Sequence, residues 1–228
     1  MDLSIIIPAY NEEATVVAAV QAALDAKLPV GSREVIVVEN GSTDSTRAVL
    51  RAQAWPPEVS VIEVERNRGK GHGMRVGIEA ARGQFSAVLD ADLEYDPNDY
   101  ALMLPPLQDG VMDAVLGTRH WQSHSAYSYW YVKGNQFINT MANVLYNVYL
   151  SDCMVGMKVV RTDLLRSLAL QEDGFGFDAE VVARLLRRRA RIMEVPVHYR
   201  ARGRAEGKKL TTRDGVRMLR VFFRCRVR

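Results

Sequence analysis

Leu3-Ser4-Ile5-Ile6-Ile7-Pro8-Ala9-Tyr10-Asn11-Glu12-Glu13 sets the reading of the whole chain. It is a near-continuous apolar run of strand length that breaks into polar residues, as expected of a strand buried on both faces and ending in solvent. Outward from it, further strands are predicted over 34–39, 59–65, 85–90 and 114–118. Helices are predicted between them over 12–26, 44–54, 69–81 and 97–107, with Asn11 and either Ser42 or Thr43 as caps and Pro97 in a first turn. Strands alternating with helices give an α/β protein, a mostly parallel sheet with helices on both faces. Such sheets bind ligands at the carboxyl ends of their strands, so the residues after each strand are the first to read.

The second half loses this rhythm. Residues 121–150 are aromatic and Asn-rich with helical stretches, 178–189 reads as a helix, 191–202 as a strand pair around Pro196, and 211–228 as a final helix. No repeat or low-complexity linker interrupts the 228 residues, which form one domain. At 48% hydrophobic residues a chain of this length buries a core without staples. Cys153 and Cys225, the two cysteines, lack a Cys-x-x-Cys spacing. No apolar run approaches the ~20 residues that span a bilayer, and Met1-Asp2 leads straight into strand residues without a basic leader. The expected compartment is the cytoplasm.

Charge is polarised along the chain. Residues 184–228 hold 16 Lys/Arg against 3 Asp/Glu, a net +13 that leaves −10 for the rest. Arg213, Arg217, Arg220, Arg224 and Arg228 fall on one helical stripe, with Met218, Leu219, Phe222 and Phe223 turned elsewhere. This amphipathic form suits peripheral contact with an anionic membrane, and equally a helix packed on the domain.

The strand ends carry the chemistry. Asp90-Ala91-Asp92 offers two carboxylates where a buried strand meets solvent, with Glu94 next in the alternation. Hard oxygen donors of this kind suit Mg²⁺ or Mn²⁺ shared with substrate phosphates, although an acidic turn before Pro97 has the same composition. Gly69-Lys70-Gly71-His72-Gly73 opens a helix, and it either brings backbone and Lys70 to an anion or makes a tight turn. His72, His120, His124 and His198 are scattered without metal-helix spacing, and there is no nucleophile elbow.

Together with Val37-Val38-Glu39-Asn40-Gly41-Ser42-Thr43-Asp44, these strand-end motifs resemble family 2 glycosyltransferases of the GT-A fold. Gly117-Thr118-Arg119, Asp152 with Lys158 and Arg161, Gly174-Phe175-Gly176-Phe177-Asp178-Ala179-Glu180, Glu194-Val195-Pro196-Val197 and Glu206-Gly207-Lys208-Lys209-Leu210 are similar to the dolichyl- and polyprenyl-phosphate mannosyl- and glucosyltransferases. The resemblance covers about residues 3–219. It implies a nucleotide-sugar half over 1–118, an acceptor half over 119–210 and the basic helix over 211–228. The implied reaction is inverting transfer of a hexose from a nucleotide sugar to a polyprenyl phosphate.

On the matching positions, Pro8, Tyr10, Glu12, Val37 and Glu39 would hold base and ribose. Asp90, Ala91 and Asp92 would hold diphosphate and metal, with Lys70 beside them and Glu94 as a third metal ligand. Arg119, Arg202 and Lys208 would contact phosphates of donor or acceptor. Glu39-Asn40 replaces the usual Asp-Asp, and the donor expectation leans slightly to GDP-mannose over UDP-glucose. A phosphate nucleophile needs no general base; for a soluble hydroxyl acceptor, Asp152 is the candidate base. A sugar-phosphate nucleotidyltransferase lacks its glycine-rich first loop here, and a nucleic-acid-binding module would leave the strand-end carboxylates without a role.

Overall fold

β1 (Leu3–Ala9) pairs in parallel with β2 (Arg33–Asn40) on one side and with β4 (Phe85–Val88) on the other. The structure, a computed structural model, describes residues 1–119, 129–200 and 212–227. β3 (Val59–Val64), β5 (Ala114–Thr118), β6 (Lys158–Arg161) and β7 (Ile192–Pro196) complete a seven-stranded sheet of order β3-β2-β1-β4-β6-β5-β7. Only β6 runs against its neighbours: it is antiparallel to both β4 and β5, while β5 and β7 are parallel.

The alternation of side chains assigns the two faces. Leu3, Ile5, Ile7, Val35, Val37, Phe85 and Ala87 pack into one apolar layer, and Ile6, Ile36, Val38 and Val88 into the other. α1 (Val16–Asp25), α2 (Thr46–Arg51), α4 (Tyr100–Met103) and α5 (Pro105–Gln108) feed the first layer; α3 (Lys70–Ala80) and α7 (Thr162–Ser167) feed the second. α8 (Gly176–Arg187) contributes to both through Ala179, Val182 and Ala183 on one side and Phe177, Val181 and Leu185 on the other. α6 (Tyr129–Tyr146) and α9 (Thr212–Val227) pack against each other, with Tyr146 edge-on to Phe222.

The expected strands and the doubly covered sheet are present, and several boundaries differ. α1 starts at Val16 because 12–15 form a turn, and Asn11, at φ 52, bonds Thr43 instead of capping the helix. The helix expected over 97–107 is broken into a 3₁₀ turn, Pro97–Asp99, and two short helices divided at Pro105, whose ring disfavours helical continuation. Of the expected strand pair over 191–202, the described residues 191–200 supply one strand, and beyond Pro196 an isolated bridge joins Tyr199 to Tyr95. β6 and α7 are elements the sequence reading did not anticipate.

α9 bears on both readings of the basic tail, membrane contact and packing on the domain. Arg217 Nε lies 2.9 Å from Glu172 Oε2, and Arg224 pairs with Glu172 and faces Glu180, so two of the stripe's arginines turn toward the domain. Arg228 and the side chain of Arg213 lie outside the description. The outward line of α9 is Val216, Arg220, Phe223 and Val227, all exposed, while Met218, Val221, Phe222 and Cys225 are buried.

One ion pair ties β5 to the start of β7. Asp113 accepts two hydrogen bonds from the Arg191 guanidinium, at 3.0 and 2.9 Å, and a third from Arg191 N at 2.9 Å. These bonds hold its carboxyl down at about 2. A group depressed in the folded state adds stability above its unfolded value, near pH 4, which is lost as pH falls through about 2. Asp113→Asn is therefore expected to flatten stability against pH between about 4 and 2. Urea midpoints across that range check it, and an unaltered slope refutes it.

Candidate active site

β1, β2, β4 and β5 point their carboxyl ends to one edge of the sheet, and there the candidate residues collect. Asp90 follows β4 by two residues, and its Oδ1 lies 2.7 Å from Lys70 Nζ, at the first position of α3. Lys70 Nζ is also 3.3 Å from Asp178 Oδ2 in the first turn of α8. The other oxygen of Asp178 accepts from Lys158, which also donates to the carbonyls of Val155 and Gly156 at 2.8 and 3.0 Å. Burial pushes the Lys70 ammonium down, but Asp178 and Asp90 more than offset it and hold it charged. Burial likewise pushes the Asp178 carboxyl up, and Lys158 and Lys70 bring it below the ordinary range.

The glycines around Lys70 serve packing. A Cβ at Gly71 would meet the Glu172 carbonyl oxygen at 2.1 Å, Gly69 has φ +108 against Asp173, and His72 N donates to the Asp173 carbonyl. The start of α3 is thus closed by backbone, and the motif's contribution to the site is the Lys70 side chain.

Past Asp90 the chain turns sharply. Leu93 adopts φ 60, which costs a non-glycine residue on the order of 1 kcal/mol, and Asp92 Oδ1 accepts from Glu94 N at 3.1 Å. Ala91 is buried. Glu94, expected as a third metal ligand, accepts a hydrogen bond from the Tyr199 hydroxyl at 2.8 Å through Oε2. Tyr199 stacks at 5.1 Å on Tyr95, whose hydroxyl accepts from Gly156 N. A cavity of about 360 Å³ adjoins this stack, lined in part by Leu93, Pro97, His198 and Arg200.

The side expected to face the acceptor is built on β5. Arg119 grips Asp152 through Nε and Nη2, at 2.7 and 2.8 Å, and its guanidinium lies 5.1 Å over the Tyr199 ring. Burial lowers the tendency to stay charged, and Asp152 reverses it, so Arg119 remains a cation. The Asp152 loop is fixed in turn by Glu194, which accepts from Ser151 N and Asp152 N. Arg202 and Lys208 lie outside the described residues.

Among the residues expected to hold the nucleotide, Pro8, Tyr10 and Glu12 stand partly exposed at the end of β1. Val37 does not reach the site, because its side chain is in the apolar core three residues before β2 ends. Glu39 is also turned inward at 0% exposure: one oxygen accepts from Ser42 N at 2.6 Å and the other from Arg47 Nε at 2.7 Å. It shapes the turn after β2 and offers no open acceptor to a base.

Among the described residues no three Asp, Glu, His or Cys side chains converge as a metal cage. A hard cation completed by substrate phosphates needs only one or two carboxylates, and Asp90 and Asp92 have that chemistry. Gly156 makes room for them, since a Cβ there would lie 2.7 Å from Asp90 Oδ2. The donor set fits a divalent ion without Glu94.

The family model described as glycosyl transferase family 2 matches residues 4–169. The chain belongs to this family. A dodecaprenyl-phosphate galacturonate synthase of Rhizobium johnstonii is 28% identical over 206 residues, 89% of this chain and 60% of that protein. An undecaprenyl-phosphate 4-deoxy-4-formamido-L-arabinose transferase of Shewanella sediminis is 26% identical over 90% of this chain and 61% of its own length. The chain thus spans about 60% of the length of these curated relatives. Among solved structures, glucosyl-3-phosphoglycerate synthase of Mycobacterium tuberculosis, crystallised with Mn²⁺, UDP and phosphoglyceric acid, superposes with a TM-score of 0.74 at 18% identity, covering 99% of this chain and 78% of that one. That likeness establishes the GT-A fold of this family 2 chain.

Sequence reasoning had no role for Tyr95 and Tyr199, which carry no motif, and met Lys158 and Asp178 only within the resemblance. The one signal for the second pair is a lysine opening an otherwise apolar Val-Val run, too short to mark as a strand.

Proposed function

We propose that the chain moves a hexose, with inversion, from a nucleotide sugar to a polyprenyl phosphate, with Mg²⁺ or Mn²⁺ held by Asp90 and Asp92. The observation that carries this reading is the Arg119–Asp152 pair. Both oxygens of Asp152 accept guanidinium hydrogens, at 2.7 and 2.8 Å, which leaves a fixed cation at the strand ends and commits the one candidate base to it. A phosphate monoester, with a second pKa near 6, is mostly dianionic at pH 7 and attacks without a base. It needs a cation to rest against, and Arg119 supplies a planar fork suited to it. The names of the two polyprenyl-phosphate relatives agree with this acceptor.

In the step itself a phosphate oxygen bonds to the anomeric carbon while the bond from that carbon to the nucleoside diphosphate breaks, and the electron pair leaves with the diphosphate. No proton is exchanged. When bound, a divalent ion supplies electrostatic stabilisation of that leaving group. Lys70 binds the diphosphate beside Asp90, and Arg202 and Lys208 complete the grip on the phosphates. Pro8, Tyr10 and Glu12 hold the nucleoside. The lean to GDP-mannose over UDP-glucose rested on Pro8, Tyr10, Glu12, Val37 and Glu39; with Val37 in the core and Glu39 held by Arg47, the site is compatible with either donor. Incubating the protein with a panel of nucleotide sugars and a short-chain prenyl phosphate, then weighing the products, tests the reading. A hexosyl phosphoprenol supports it; transfer to free hydroxyls alone overturns it.

The acceptor's lipid brings the chain to a bilayer surface. Among the described residues no helix is long and apolar enough to cross it. The face proposed to touch an anionic membrane is the outward line Val216, Arg220, Phe223 and Val227 of α9, not the arginine stripe paired with Glu172. Val216→Ser with Phe223→Ser is expected to lower co-sedimentation with anionic liposomes severalfold, in proportion to the apolar area removed, and to spare turnover of a soluble acceptor. Unaltered liposome binding refutes this face.

A further inference from the structure

We propose that Asp178 is a positioning residue of the donor site: clamped from behind by Lys158, it shares the Lys70 ammonium with Asp90 and thereby limits how far Lys70 competes with a divalent ion at Asp90. The proposal rests on the reading of Asp90 and Asp92 as metal carboxylates and deepens it.

Four charges lie in a line at the edge of the sheet. Lys158, Asp178, Lys70 and Asp90 have side-chain exposures of 1%, 8%, 14% and 22%, so the line runs from the protein interior out to the site. Its inner end is rigid. Lys158 is paired across β6 with Val88 of β4 and Leu116 of β5, in the middle of the sheet. Its three ammonium hydrogens are matched by Val155 O, Gly156 O and Asp178 Oδ1, so it has no donor to spare for a substrate.

Asp178 is also held by its place in the first turn of α8, where the helix favours a negative charge. Its second oxygen shares Lys70 with Asp90, at 3.3 Å against 2.7 Å. Lys70 therefore stands between two carboxylates, and Asp178 decides how much of its charge falls on Asp90. Replacing buried ion pairs by apolar residues is often neutral for stability, so stability alone gives no reason to keep four charges here. Their arrangement is accounted for if they set the charge presented at Asp90.

Without the Asp178 charge, Lys70 has Asp90 as its sole carboxylate partner in this line and competes there with an incoming cation. The test is titration of Mn²⁺ into the protein in saturating UDP, and separately GDP, followed by calorimetry and by the spin-resonance signal of free Mn²⁺. Asp178→Asn is expected to weaken Mn²⁺ binding at least about tenfold, the range usual for a group that acts on a metal ligand from behind. In a Lys70→Met background the same substitution is expected to alter Mn²⁺ affinity less than about twofold, because the competitor is gone.

A merely structural role lowers the melting temperature and shows no such dependence on Lys70. If Asp178→Asn alone does not fold, Asp178→Asn with Lys158→Met removes both buried charges together, and the same loss of Mn²⁺ affinity is expected. Wild-type affinity in either folded variant overturns the proposal, as does an equal loss with and without Lys70. Wild-type protein that binds no Mn²⁺ with either nucleotide overturns the metal reading and this proposal with it; unaltered affinity in the variants overturns the proposal alone.

Discussion

Asp92→Asn is expected to lower turnover by at least about 100-fold with the fold retained, the loss typical of deleting one group that stabilises developing charge. The substitution is informative because of what it preserves. Asp92 Oδ1 accepts the Glu94 N–H at 3.1 Å in a turn already strained at Leu93, φ 60, and the amide oxygen of asparagine can accept the same bond. The backbone course to Glu94, Tyr95 and the Tyr199 stack is therefore kept while one negative charge is lost. Chelation of divalent ions should reproduce the defect in wild-type protein, and excess Mn²⁺ should restore the wild type more fully than the variant. Steady-state rates with and without chelator, beside a thermal melt, check both. Full activity of the variant, or of wild-type protein in chelator, removes the metal from the reaction.

How far the sequence speaks for itself differs between the two halves, for a physical reason. β1, β2 and β4 are buried on both faces, so each is a near-continuous apolar run that stops where solvent begins, and the carboxylates at Asp90 and Asp92 are marked by that stop. β6 carries no such mark. It is four residues long, Lys158-Val159-Val160-Arg161, and lies in mid-sheet with its lysine at 1% exposure, a burial tolerated only because Asp178 arrives from α8, twenty residues on. A pairing between distant residues leaves no periodic trace in either segment.

The same limit explains Glu39 and the arginines of α9. A carboxylate at a strand end reads as a ligand until Arg47 is found against it, and a basic stripe reads as a membrane face until Glu172 is found beneath it. Charge type was legible in each case; the partner was not. The sequence left α9 open between membrane contact and packing on the domain for a related reason. Helical periodicity separates two faces, and it does not say which of them meets the domain.

The acceptor is decided by comparing Arg119→Lys with Asp152→Asn. Lysine keeps the charge but loses the planar fork that lies over Tyr199 and spans both oxygens of Asp152, so kcat/KM for a prenyl phosphate is expected to fall by at least about 100-fold. Asparagine at 152 retains one acceptor oxygen and leaves Arg119 charged but less firmly aimed. If the nucleophile is a phosphate, that change acts on binding: KM for the acceptor rises about tenfold, kcat stays within a fewfold, and the pH–rate profile keeps its acid limb, which belongs to the substrate's second ionisation near pH 6. If the nucleophile is a hydroxyl, Asp152 must release Arg119 and take the proton, and the same substitution then removes about two to four orders of magnitude from kcat and erases the limb. The two outcomes separate in kcat, not in KM. Asp152 Oδ1 and Oδ2 are both committed to the guanidinium and Glu194 fixes the backbone beneath them, so the first outcome is the one expected under the proposed phosphate acceptor, in which Asp152 aims the cation and the acceptor's own charge performs the attack.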